Sequence, residues 1–340
     1  MAKYITFGEI MLRLAPEGYL RFFQNSILEA TFGGGEANVA VSLANFGLDT
    51  AFITRLPDNE IGQSAVNGLR YFGVDTSKIV RGGSRIGIYF MERGASQRPS
   101  RVIYDRAHSA VSEASADDFD WNVIMEGAQW FHFTGITPAL GANVAEICLE
   151  ACRTAKEKGL MVSCDLNFRK KLWTVAEAGR AMERLMPYVD VCIANEEDAE
   201  KVFGIKAPDT DITGGRLSWK GYSAVARQLA DRFGFQTVAI TLRESISAND
   251  NNWSAMLYQD GQFYRSQKYP IRIVDRVGGG DSFGAGLIYG LSCGMTPQAS
   301  LDFAVAASCL KHSVEGDYNR VSVSEVKALM NGDGSGRVQR

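Results

Sequence analysis

The chain has 340 residues, of which 46% are hydrophobic and 22% are charged, and its formal net charge is −3. This length predicts one large domain with an appendage, and the composition is that of an ordinary globular protein. The acidic balance argues against a general nucleic-acid binder, and the longest apolar runs are far too short for a bilayer span, so we expect no membrane partner. The start does not resemble a secretory signal, and six cysteines without a C-x-x-C pair favour a reducing, cytoplasmic setting.

The first 120 residues predict two helices, Asn38–Phe46 and Ile61–Phe72, on either side of a strand at Thr50–Thr54. Around them lie isolated strand-like pieces that have no helices between them. These pieces are Ile5–Leu14, Leu28–Phe32, Arg85–Glu92 and Arg101–Tyr104. Strands drawn from about 5–32 and 85–107 would form a small sheet that projects from the main domain. Such a sheet is suited to act as a lid that excludes water from a site.

After residue 120, strands and helices alternate. The predicted strands are Gln129–Thr134, Leu160–Asp165, Val189–Ala194 and Thr237–Leu242. The predicted helices are Asn143–Lys158, Val175–Met186, Glu196–Phe203, Tyr222–Phe233, Ser282–Cys293 and Pro297–His312. Repeated βα units predict an α/β fold with a mainly parallel central sheet and helices on both faces. We expect one domain over 1–330 and a flexible tail over 331–340.

Three consecutive glycines, Gly278, Gly279 and Gly280, precede Asp281 where a helix begins. Glycines let successive N–H groups converge on an anion, and the helix adds unpaired N–H groups and the positive end of its dipole. The stretch lacks the lysine of a Walker loop and the following strand and acid of a Rossmann fingerprint. A tight turn capped by Asp281 is the competing interpretation. An anion site is favoured because a cap does not require three glycines.

A second glycine run, in the segment Thr31–Gly47, precedes another predicted helix. Here Gly34 and Gly35 could bring their backbone against a polyhydroxy ligand, and Asn38 could add its amide. A glycine turn with an asparagine cap explains the same residues, and from this stretch alone it is the favoured interpretation.

Polar residues follow one of the predicted parallel strands, at the sheet edge where ligands bind. Asp165, Asn167 and Arg169 alternate in the sequence, so in an extended chain they would face one way. Three polar side chains on one side suit phosphates or an acidic substrate. The alternative is a solvated loop, which we expect to describe Lys170 and Lys171.

Two further groups are ambiguous from the residues alone. Asn195 and Asp198 follow the next strand and are three apart, so both could face one site at a helix start. Tyr89, Tyr104 and Arg106 lie on the predicted lid. Sheet packing would explain the two tyrosines equally well, and a surface charge would explain the arginine.

Together these stretches resemble the ribokinase-like, or PfkB, carbohydrate kinases over roughly Tyr4–Met330. The segment DRVGGGDSFGAG is similar to the family signature D-T-x-G-A-G-D-x-F, the Gly-Gly…Asn segment to the sugar-side signature, and Asn195–Asp198 to the N-x-x-E motif with Asp for Glu. GEIMLRL, GGGEANVA, YDRAHSA, DLNFR, ANEED and KHSVEGDYN are most similar to members that act on 2-dehydro-3-deoxy-D-gluconate. The resemblance implies a ribokinase-like three-layer sandwich with a small β-sheet lid. It also implies phosphorylation of that sugar acid at its C6 hydroxyl, with ATP and Mg2+, by a homo-oligomer, often a dimer formed through the lid.

The resemblance further implies a role for each candidate residue. Asp281 would be the general base, beside an anion hole formed by Gly278, Gly279 and Gly280. The sugar acid would be bound by Gly34, Gly35, Asn38, Tyr89, Tyr104, Arg106 and Arg169. The nucleotide would lie near Asn195, Thr241, Gly278 and Gly280, and Asp198 would contact the metal ion through water. Asp275 and Val277 resemble the backbone region that binds a monovalent cation, such as K+, in some relatives.

The sequence departs from the family pattern in two places. Arg276 replaces the usual Thr and Gly279 the usual Ala, and neither change removes an N–H group. Ile240–Trp253 departs more, because Arg243 and a polar insertion stand where the family commonly has T-L-G-x-x-G beside the nucleotide. The nucleotide contacts are therefore open in this segment.

The substrate prediction depends on charge. A sugar acid carries a carboxylate, and guanidinium groups such as those of Arg106 and Arg169 bind carboxylates in bidentate geometry. Two alternatives stay open: a neutral-sugar kinase of the same family, similar to a fructokinase, and a non-catalytic protein that binds a nucleotide or a sugar.

Overall fold

The computed structural model describes residues 3–195, 197–208, 218–334 and 336. The strands are β1 (Tyr4–Phe7), β2 (Met11–Ala15), β3 (Glu29–Gly33), β4 (Thr50–Ile53), β5 (Arg55–Leu56), β6 (Val80–Arg81), β7 (Gly87–Glu92), β8 (Arg101–Asp105), β9 (Trp130–Thr134), β10 (Met161–Asp165), β11 (Val191–Ala194), β12 (Thr237–Ser245), β13 (Asp250–Gln259), β14 (Gln262–Arg265) and β15 (Tyr269–Arg272). The helices are α1 (Gly35–Asn45), α2 (Glu60–Tyr71), α3 (Trp121–Ile124), α4 (Ala142–Glu157), α5 (Val175–Leu185), α6 (Asp198–Phe203), α7 (Trp219–Phe233), α8 (Gly279–Ser292), α9 (Pro297–Lys311) and α10 (Val323–Met330).

The central sheet has nine strands in the order β14-β13-β12-β11-β10-β9-β1-β4, with β15 beside β13. In this sheet the neighbouring strands β4, β1, β9, β10, β11 and β12 run parallel to one another. Strand β13 pairs antiparallel with β12, β14 and β15. Helices cover both faces of the central sheet, so successive residues of a strand pack in two different cores. Tyr4 packs in the core formed with α1, α8, α9 and α10, and Ile5 packs in the core formed with α4, α5 and α7. The predicted three-layer α/β fold with a mainly parallel sheet is confirmed.

A second sheet has four strands in the order β3-β2-β7-β8. Its strands come from 11–33 and 87–105, and β2 runs parallel to β7 while the outer pairs are antiparallel. Met11, Ala15, Tyr89 and Met91 form its own small apolar cluster. Because β2 follows the carboxyl end of β1, and β3 leads into α1, this small sheet is attached at the carboxyl edge of the central sheet.

The predicted single strand at Ile5–Leu14 is wrong. The chain forms β1 in the central sheet and β2 in the small sheet, and it leaves the central sheet at Gly8. A Cβ on Gly8 would lie 2.1 Å from a carboxylate oxygen of Glu36, so the first residues of α1 press against the chain at this break. The alternation of apolar residues continues across the break, and for that reason the sequence did not reveal it.

The segment Ile240–Trp253 is a hairpin. Strand β12 continues past the predicted end at Leu242 to Ser245, and the chain returns as β13, with Arg243 opposite Trp253. Sequence analysis also missed β14, β15 and α10, and it began α1 and α8 three residues late.

Two expectations concern residues that the structure does not fully describe. Glu196, the predicted start of α6, lies outside the described residues, and of the predicted tail only 331–334 and 336 are described. Among the helices of the described ranges, none is both long and apolar enough to cross a membrane.

Candidate active site

A cavity of about 330 Å3 lies where the carboxyl ends of β10 and β11 meet the N-termini of α1 and α8 and the small sheet. Most of the residues predicted for the site line this cavity, although they come from seven separate parts of the chain. They are Gly34, Gly35, Asn38, Tyr89, Tyr104, Arg106, Arg169, Asn195, Thr241, Gly278, Gly280 and Asp281. Gly279, Asp198 and Asp275 do not line it.

Helix α8 presents its N-terminus to the cavity. Gly278, which precedes the helix, has a φ of 81°, and a Cβ there would lie 2.0 Å from the carbonyl oxygen of Asp317. Glycine is therefore required at 278 both by its conformation and by the close approach. Gly280 and Asp281 are the second and third residues of the helix, so the helix leaves their N–H groups unpaired where both residues line the cavity.

Gly279 has a different environment from its two neighbours. Its N–H lies 3.4 Å from the carbonyl oxygen of Arg276, and its own carbonyl oxygen accepts a 2.7 Å hydrogen bond from Ser308 Oγ. A Cβ on Gly279 would lie 2.5 Å from the His312 ring. Burial lowers the pKa of His312 to about 4, so this ring is neutral at pH 7. The structure thus gives Gly279 packing contacts between α8 and α9 rather than a place on the cavity wall.

Asp281 and Asn38 join the two glycine-rich helix starts across the cavity. Asn38 Nδ2 donates a 2.6 Å hydrogen bond to Asp281 Oδ2, and Asn38 Oδ1 accepts one from the Gly34 N–H at 3.3 Å. A Cβ on Gly35 would lie only 3.7 Å from Asp281 Oδ1. Burial raises the pKa of Asp281 to about 6, the hydrogen bond from Asn38 opposes this shift, and the Asp317 carboxylate adds to it. At pH 7 Asp281 is therefore mainly ionised and can accept a proton.

Packing requires the glycines that precede α1. A Cβ on Gly33 would lie 1.9 Å from a carboxylate oxygen of Asp317, and one on Gly34 would lie 1.9 Å from the carbonyl oxygen of Glu9. At 33 and 34 the backbone therefore passes too close to its neighbours for any side chain. The glycine-turn interpretation accounts for these contacts, and Gly34 also lines the cavity.

Behind these glycines lies Glu36, which sequence analysis did not single out. One carboxylate oxygen accepts hydrogen bonds from the N–H and Oγ1 of Thr134, at 2.9 and 2.8 Å, and from Thr137 Oγ1, at 2.5 Å. Burial raises the pKa of Glu36 to about 7, although these donors oppose the shift. An acid in a first helical turn usually faces solvent and the helix dipole, so the sequence carried no signal for this buried role.

A buried ion-pair cluster centred on Arg13 supports the small sheet. Arg13 Nη1 bonds Asp317 Oδ1 at 2.7 Å, and Nη2 bonds Asp275 Oδ2 at 2.6 Å. The Tyr89 hydroxyl lies 2.7 and 2.6 Å from the two Asp317 oxygens. Tyr89 therefore lines the cavity while its hydroxyl is bonded to Asp317. Arg13 and Asp317 could not be paired from the sequence, because more than 300 residues separate them.

On the lid side of the cavity, Arg106 is held by Glu9. Arg106 Nε donates to Glu9 Oε2 at 2.8 Å, Arg106 Nη2 bonds the same oxygen, and Ser109 Oγ donates to Glu9 Oε1 at 2.6 Å. The Arg106 guanidinium also lies 5.4 Å from the centre of the Tyr104 ring. The arginine is therefore oriented in the cavity wall before any ligand arrives.

Asp165, Asn167 and Arg169 all line the cavity, but not as an extended chain. Asn167 has a φ of 39°, and its N–H donates to Asp165 Oδ1 at 3.1 Å, so a tight turn brings the three together. Burial raises the pKa of Asp165 well above its usual range, and the carboxylates of Asp198 and Asp281 raise it further. Asp165 is therefore a cavity acid that sequence analysis had placed only in a general polar group.

A second cavity of about 550 Å3 adjoins the first and is bordered by Lys170, Lys171 and Lys201. The two cavities share Val102, Tyr104, Arg106, Arg169, Asn195 and Arg243. Lys171, expected to be only solvated, also donates from Nζ to the Val102 carbonyl of β8 at 3.0 Å. The residues shared by the two cavities include three arginines, Arg106, Arg169 and Arg243, and no acid.

Of these two cavities, Asp198 lines the second and not the first. Its carboxylate accepts the N–H groups of Asn195, at 3.0 Å, and of Phe168, at 3.1 Å. Burial raises the pKa of Asp198, and the N–H of Asn195 opposes this shift. Asp198 therefore shapes the loop that carries Asn195, while Thr241 lines the main cavity and lies with Oγ1 3.4 Å from the Ala194 carbonyl oxygen.

The two departures from the family pattern, Arg243 and Arg276, meet at the main cavity. Burial lowers the pKa of Arg276, and the Arg243 guanidinium lowers it further because the two charges repel. Arg276 Nη2 donates to the Ala248 carbonyl oxygen in the β12–β13 hairpin at 3.2 Å. These substitutions thus add positive charge beside the N-terminus of α8.

Asp275 lies beneath the cavity floor. Its Oδ1 accepts the Val277 N–H at 3.1 Å, and its Oδ2 accepts the Gly316 N–H at 3.2 Å in addition to the bond from Arg13. The Asp275 carbonyl oxygen lies 3.4 Å from Lys311 Nζ. Its carboxylate is therefore occupied by protein donors.

The fold and the site define a class of enzyme. The model of the family described as "pfkB family carbohydrate kinase" matches residues 1–323, and the chain belongs to this family. It is thus a sugar kinase, a phosphotransferase of a family that uses ATP.

Three proteins illustrate the similarity. A solved structure of a 2-dehydro-3-deoxygluconokinase from Thermotoga maritima is 53% identical, with a TM-score of 0.94 over 98% of this chain and 100% of that one. A 2-dehydro-3-deoxygalactonokinase from Haloferax volcanii is 34% identical over 98% of both chains. An E. coli protein of this fold, 19% identical with a TM-score of 0.78 over 97% of this chain and 99% of that one, has been solved in complex with ATP and Mg2+.

Proposed function

We propose that this chain transfers the γ-phosphoryl group of ATP to the C6 hydroxyl of 2-dehydro-3-deoxy-D-gluconate, giving the 6-phosphate and ADP. The observation that carries the proposal is the position of the Asp281 carboxylate, which lies beside the unpaired N–H groups of α8 and is oriented by Asn38. The relative that is 53% identical is named for this substrate.

The residues provide what phosphoryl transfer requires, which is positioning and charge stabilisation. The C6 oxygen forms a bond to the γ-phosphorus, the bond to the β,γ-bridging oxygen breaks, and the hydroxyl proton passes to Asp281. Because Oδ2 is bonded to Asn38, Oδ1 is the oxygen left to orient the hydroxyl, and Gly35 leaves the space beside it open. The N–H groups of Gly280 and Asp281 stabilise the charge on the transferred group.

We place the nucleotide phosphates between the N-terminus of α8 and the shared opening of the two cavities. Arg243, which stands where the family commonly has T-L-G-x-x-G, and Arg276, which replaces the usual Thr of the second signature, both line the cavity at this position. In the described part of the chain, no three His, Cys, Asp or Glu side chains form a group that could hold a metal ion alone. This fits Mg2+ bound mainly through ATP and water, with Asp165 as the cavity carboxylate nearest to this role and Asp198 further back. The metal ion would supply charge neutralisation on the phosphates.

We assign the substrate carboxylate to Arg106 and Arg169. Each lines the main cavity, and Arg106 is already oriented by Glu9, so little side-chain entropy is lost on binding. In Arg169→Gln, we expect the KM for the sugar acid to rise about tenfold or more, as for the loss of a charged hydrogen bond, while the KM for ATP changes less. Arg180→Gln on the exposed face of α5 is the matched control and should leave both values unchanged.

A coupled ADP-release assay tests the substrate. The panel contains 2-dehydro-3-deoxy-D-gluconate, its C4 epimer 2-dehydro-3-deoxy-D-galactonate, fructose, ribose and adenosine. We expect the largest kcat/KM with the gluconate compound. The epimer is included because of the Haloferax volcanii relative, and a higher value for it would change the assignment at C4 only. Equal turnover of fructose would overturn the sugar-acid proposal, and ligand binding without ADP release would indicate a non-catalytic protein.

We also propose that the small sheet closes the site as a lid and joins two copies of the chain, in a cytoplasmic setting. Among the described residues no further strand pairs with the outer strands β3 and β8, and Phe23, Ile27 and Ile103 on this sheet and its loop are 79%, 67% and 54% exposed. Sedimentation equilibrium should give a dimer that Ile103→Lys dissociates. A monomeric wild-type chain at micromolar concentration would overturn this part of the proposal.

A further inference from the structure

A buried lysine lies directly behind the N-terminus of α8. Lys311, the last residue of α9, has no exposed surface, and its Nζ bonds only carbonyl oxygens among the described residues. These are the carbonyl oxygens of Gly316 at 2.7 Å, Val314 at 3.2 Å and Asp275 at 3.4 Å. A charged group this deep in a protein is costly unless its hydrogen bonds are satisfied, so its retention calls for an explanation.

The number of acceptors favours the charged form of Lys311. Carbonyl oxygens can only accept hydrogen bonds, and three of them surround Nζ, which matches the three N–H donors of an ammonium group. A neutral amine would have only two. Burial lowers the pKa of Lys311, while the carboxylates of Asp275 and Asp317 raise it. The group is therefore a cation held in a cage of carbonyl oxygens.

This cage lies where the family resemblance implies a monovalent cation, and its residues do not fit one. The Asp275 carbonyl points to Lys311, and the Asp275 carboxylate is bonded to Arg13 and to the N–H groups of Val277 and Gly316. An ammonium group resembles a potassium ion in charge and size. We propose that the Lys311 ammonium group takes the place of a monovalent cation, so that the enzyme needs no K+.

The position of Lys311 also indicates what this internal cation does. Its Cε would lie 3.2 Å from a Cβ on Gly278, so the side chain packs against the residue that starts α8. Its three hydrogen bonds join the segment before α8 to the segment after α9. The positive charge lowers the pKa of Asp281, which keeps that carboxylate ionised. Lys311 is thus a positioning residue that holds the anion-binding turn in place.

The first test needs no substitution. The wild-type enzyme is assayed in KCl, NaCl and tetramethylammonium chloride at one ionic strength. We expect kcat and both KM values to agree within about twofold, since tetramethylammonium is too large for any such cage. A fall of tenfold or more without K+ would overturn the proposal. This kinetic test rests on the proposed kinase activity. Absence of activity in every salt would refute that function, and the melting temperatures described below would then decide whether Lys311 replaces a cation.

The second test uses Lys311→Ala, which leaves the carbonyl cage without its cation. We expect kcat in tetramethylammonium chloride to fall about ten- to hundredfold, as for a displaced reacting group. Adding K+, NH4+ or methylammonium should restore much of the lost kcat. Each cation should also raise the melting temperature of this variant but not that of the wild type. Loss of activity that no cation restores, with no thermal shift, would mean that Lys311 only fills space.

Two variants complete the design. Lys311→Met keeps the alkyl packing but has no charge and no room for an ion, so it should fold, lose activity and show no rescue. Lys327→Ala, on an exposed position of α10, should behave as the wild type in every salt. If neither Lys311 variant folds, the comparison of salts on the wild type still decides the proposal.

Discussion

The two glycine-rich helix starts have similar sequences and different physical roles. Before α8, Gly278 takes a left-handed conformation, and a Cβ on Gly280 would meet no heavy atom of the described chain within 4 Å. Before α1, Gly34 is extended, and a Cβ would lie 1.9 Å from the Glu9 backbone. The α8 start therefore has free space at Gly280, whereas the α1 start has none at Gly34, although both starts line the main cavity.

The acids in these two first turns differ in their hydrogen-bond partners. Burial raises the pKa of both, although a helix N-terminus by itself favours the ionised form. Asp281 borders the cavity and has one oxygen available for a substrate. Glu36 is enclosed by Thr134 and Thr137. Both carboxylates line the main cavity, so a raised pKa at a glycine-rich helix start does not by itself mark a reacting group, and the hydrogen-bond partners distinguish the two acids.

The sharpest test of this comparison is Asp281→Asn. The amide keeps the shape but cannot accept the proton, so we expect kcat to fall about 10²- to 10⁴-fold while the chain folds normally. The coupled ADP-release assay measures the loss. Asp260→Asn, at an exposed turn whose φ of 52° asparagine tolerates, is the matched control. Near-normal turnover in the Asp281 variant would refute its role as the base.

Alanine at the two glycine positions should separate the two roles. Gly34→Ala forces a methyl group into the Glu9 backbone and should lower the free energy of unfolding by about 1–3 kcal/mol or more. Gly280→Ala has room and should raise stability by up to about 1 kcal/mol through its helix preference, yet its methyl group should lower kcat about tenfold by crowding the anion site. Urea unfolding and kinetics on both variants measure this. The reverse pattern would contradict the comparison.

The dependence of kcat/KM on pH should show an effect of intermediate size. The pKa of Asp281 is raised to about 6, and the protonated acid cannot act as a base, so kcat/KM should fall about tenfold per pH unit below that value. Above it the profile should be flat until another group titrates. Because Lys311 lowers this pKa, Lys311→Met should move the acidic limb to higher pH. A limb near pH 4 would show that burial does not perturb Asp281 as the structure implies.

The smallest expected effect concerns Glu36. Its pKa is raised from its usual value to about 7 in the folded state, so folding favours the protonated form, and the resulting stabilisation is lost as pH rises through about 7. Glu36→Gln resembles the protonated acid and should gain about 2 °C or more in melting temperature relative to the wild type between pH 5 and 8. Glu126→Gln, at an exposed position, should show no such change. A difference that is constant with pH would contradict the buried role.

The fold was predictable because its signals are local. Apolar runs such as β9 and β10, buried on both faces, stand between amphipathic helices, and the repeated pattern indicates a parallel sheet. The break at Gly8 was not predictable, because the alternation of apolar residues runs through it. The hairpin of β12 and β13 was also hidden, since its polar residues resemble a loop.

The candidate site was predictable where chemistry depends on adjacent residues. The glycines beside Asp281 and the polar turn at Asp165 carry their own signal, because helix N-termini and strand ends bind ligands in many folds. The side chains that hold these residues in place carried no such signal in the sequence. Arg13 meets Asp317, Glu9 holds Arg106, and the Asp275 carbonyl reaches Lys311 only after separate segments pack together.

The sequence by itself therefore determined the layers of the fold, the family and the acid at the centre of the site. The tertiary structure decided which glycines face a ligand and which merely allow close packing. It also decided which acids are reached by the cavity, and where an internal lysine supplies a cation. The reason is physical: local residues set backbone conformation, whereas burial, which sets pKa and pairs charges, depends on what the rest of the chain brings alongside.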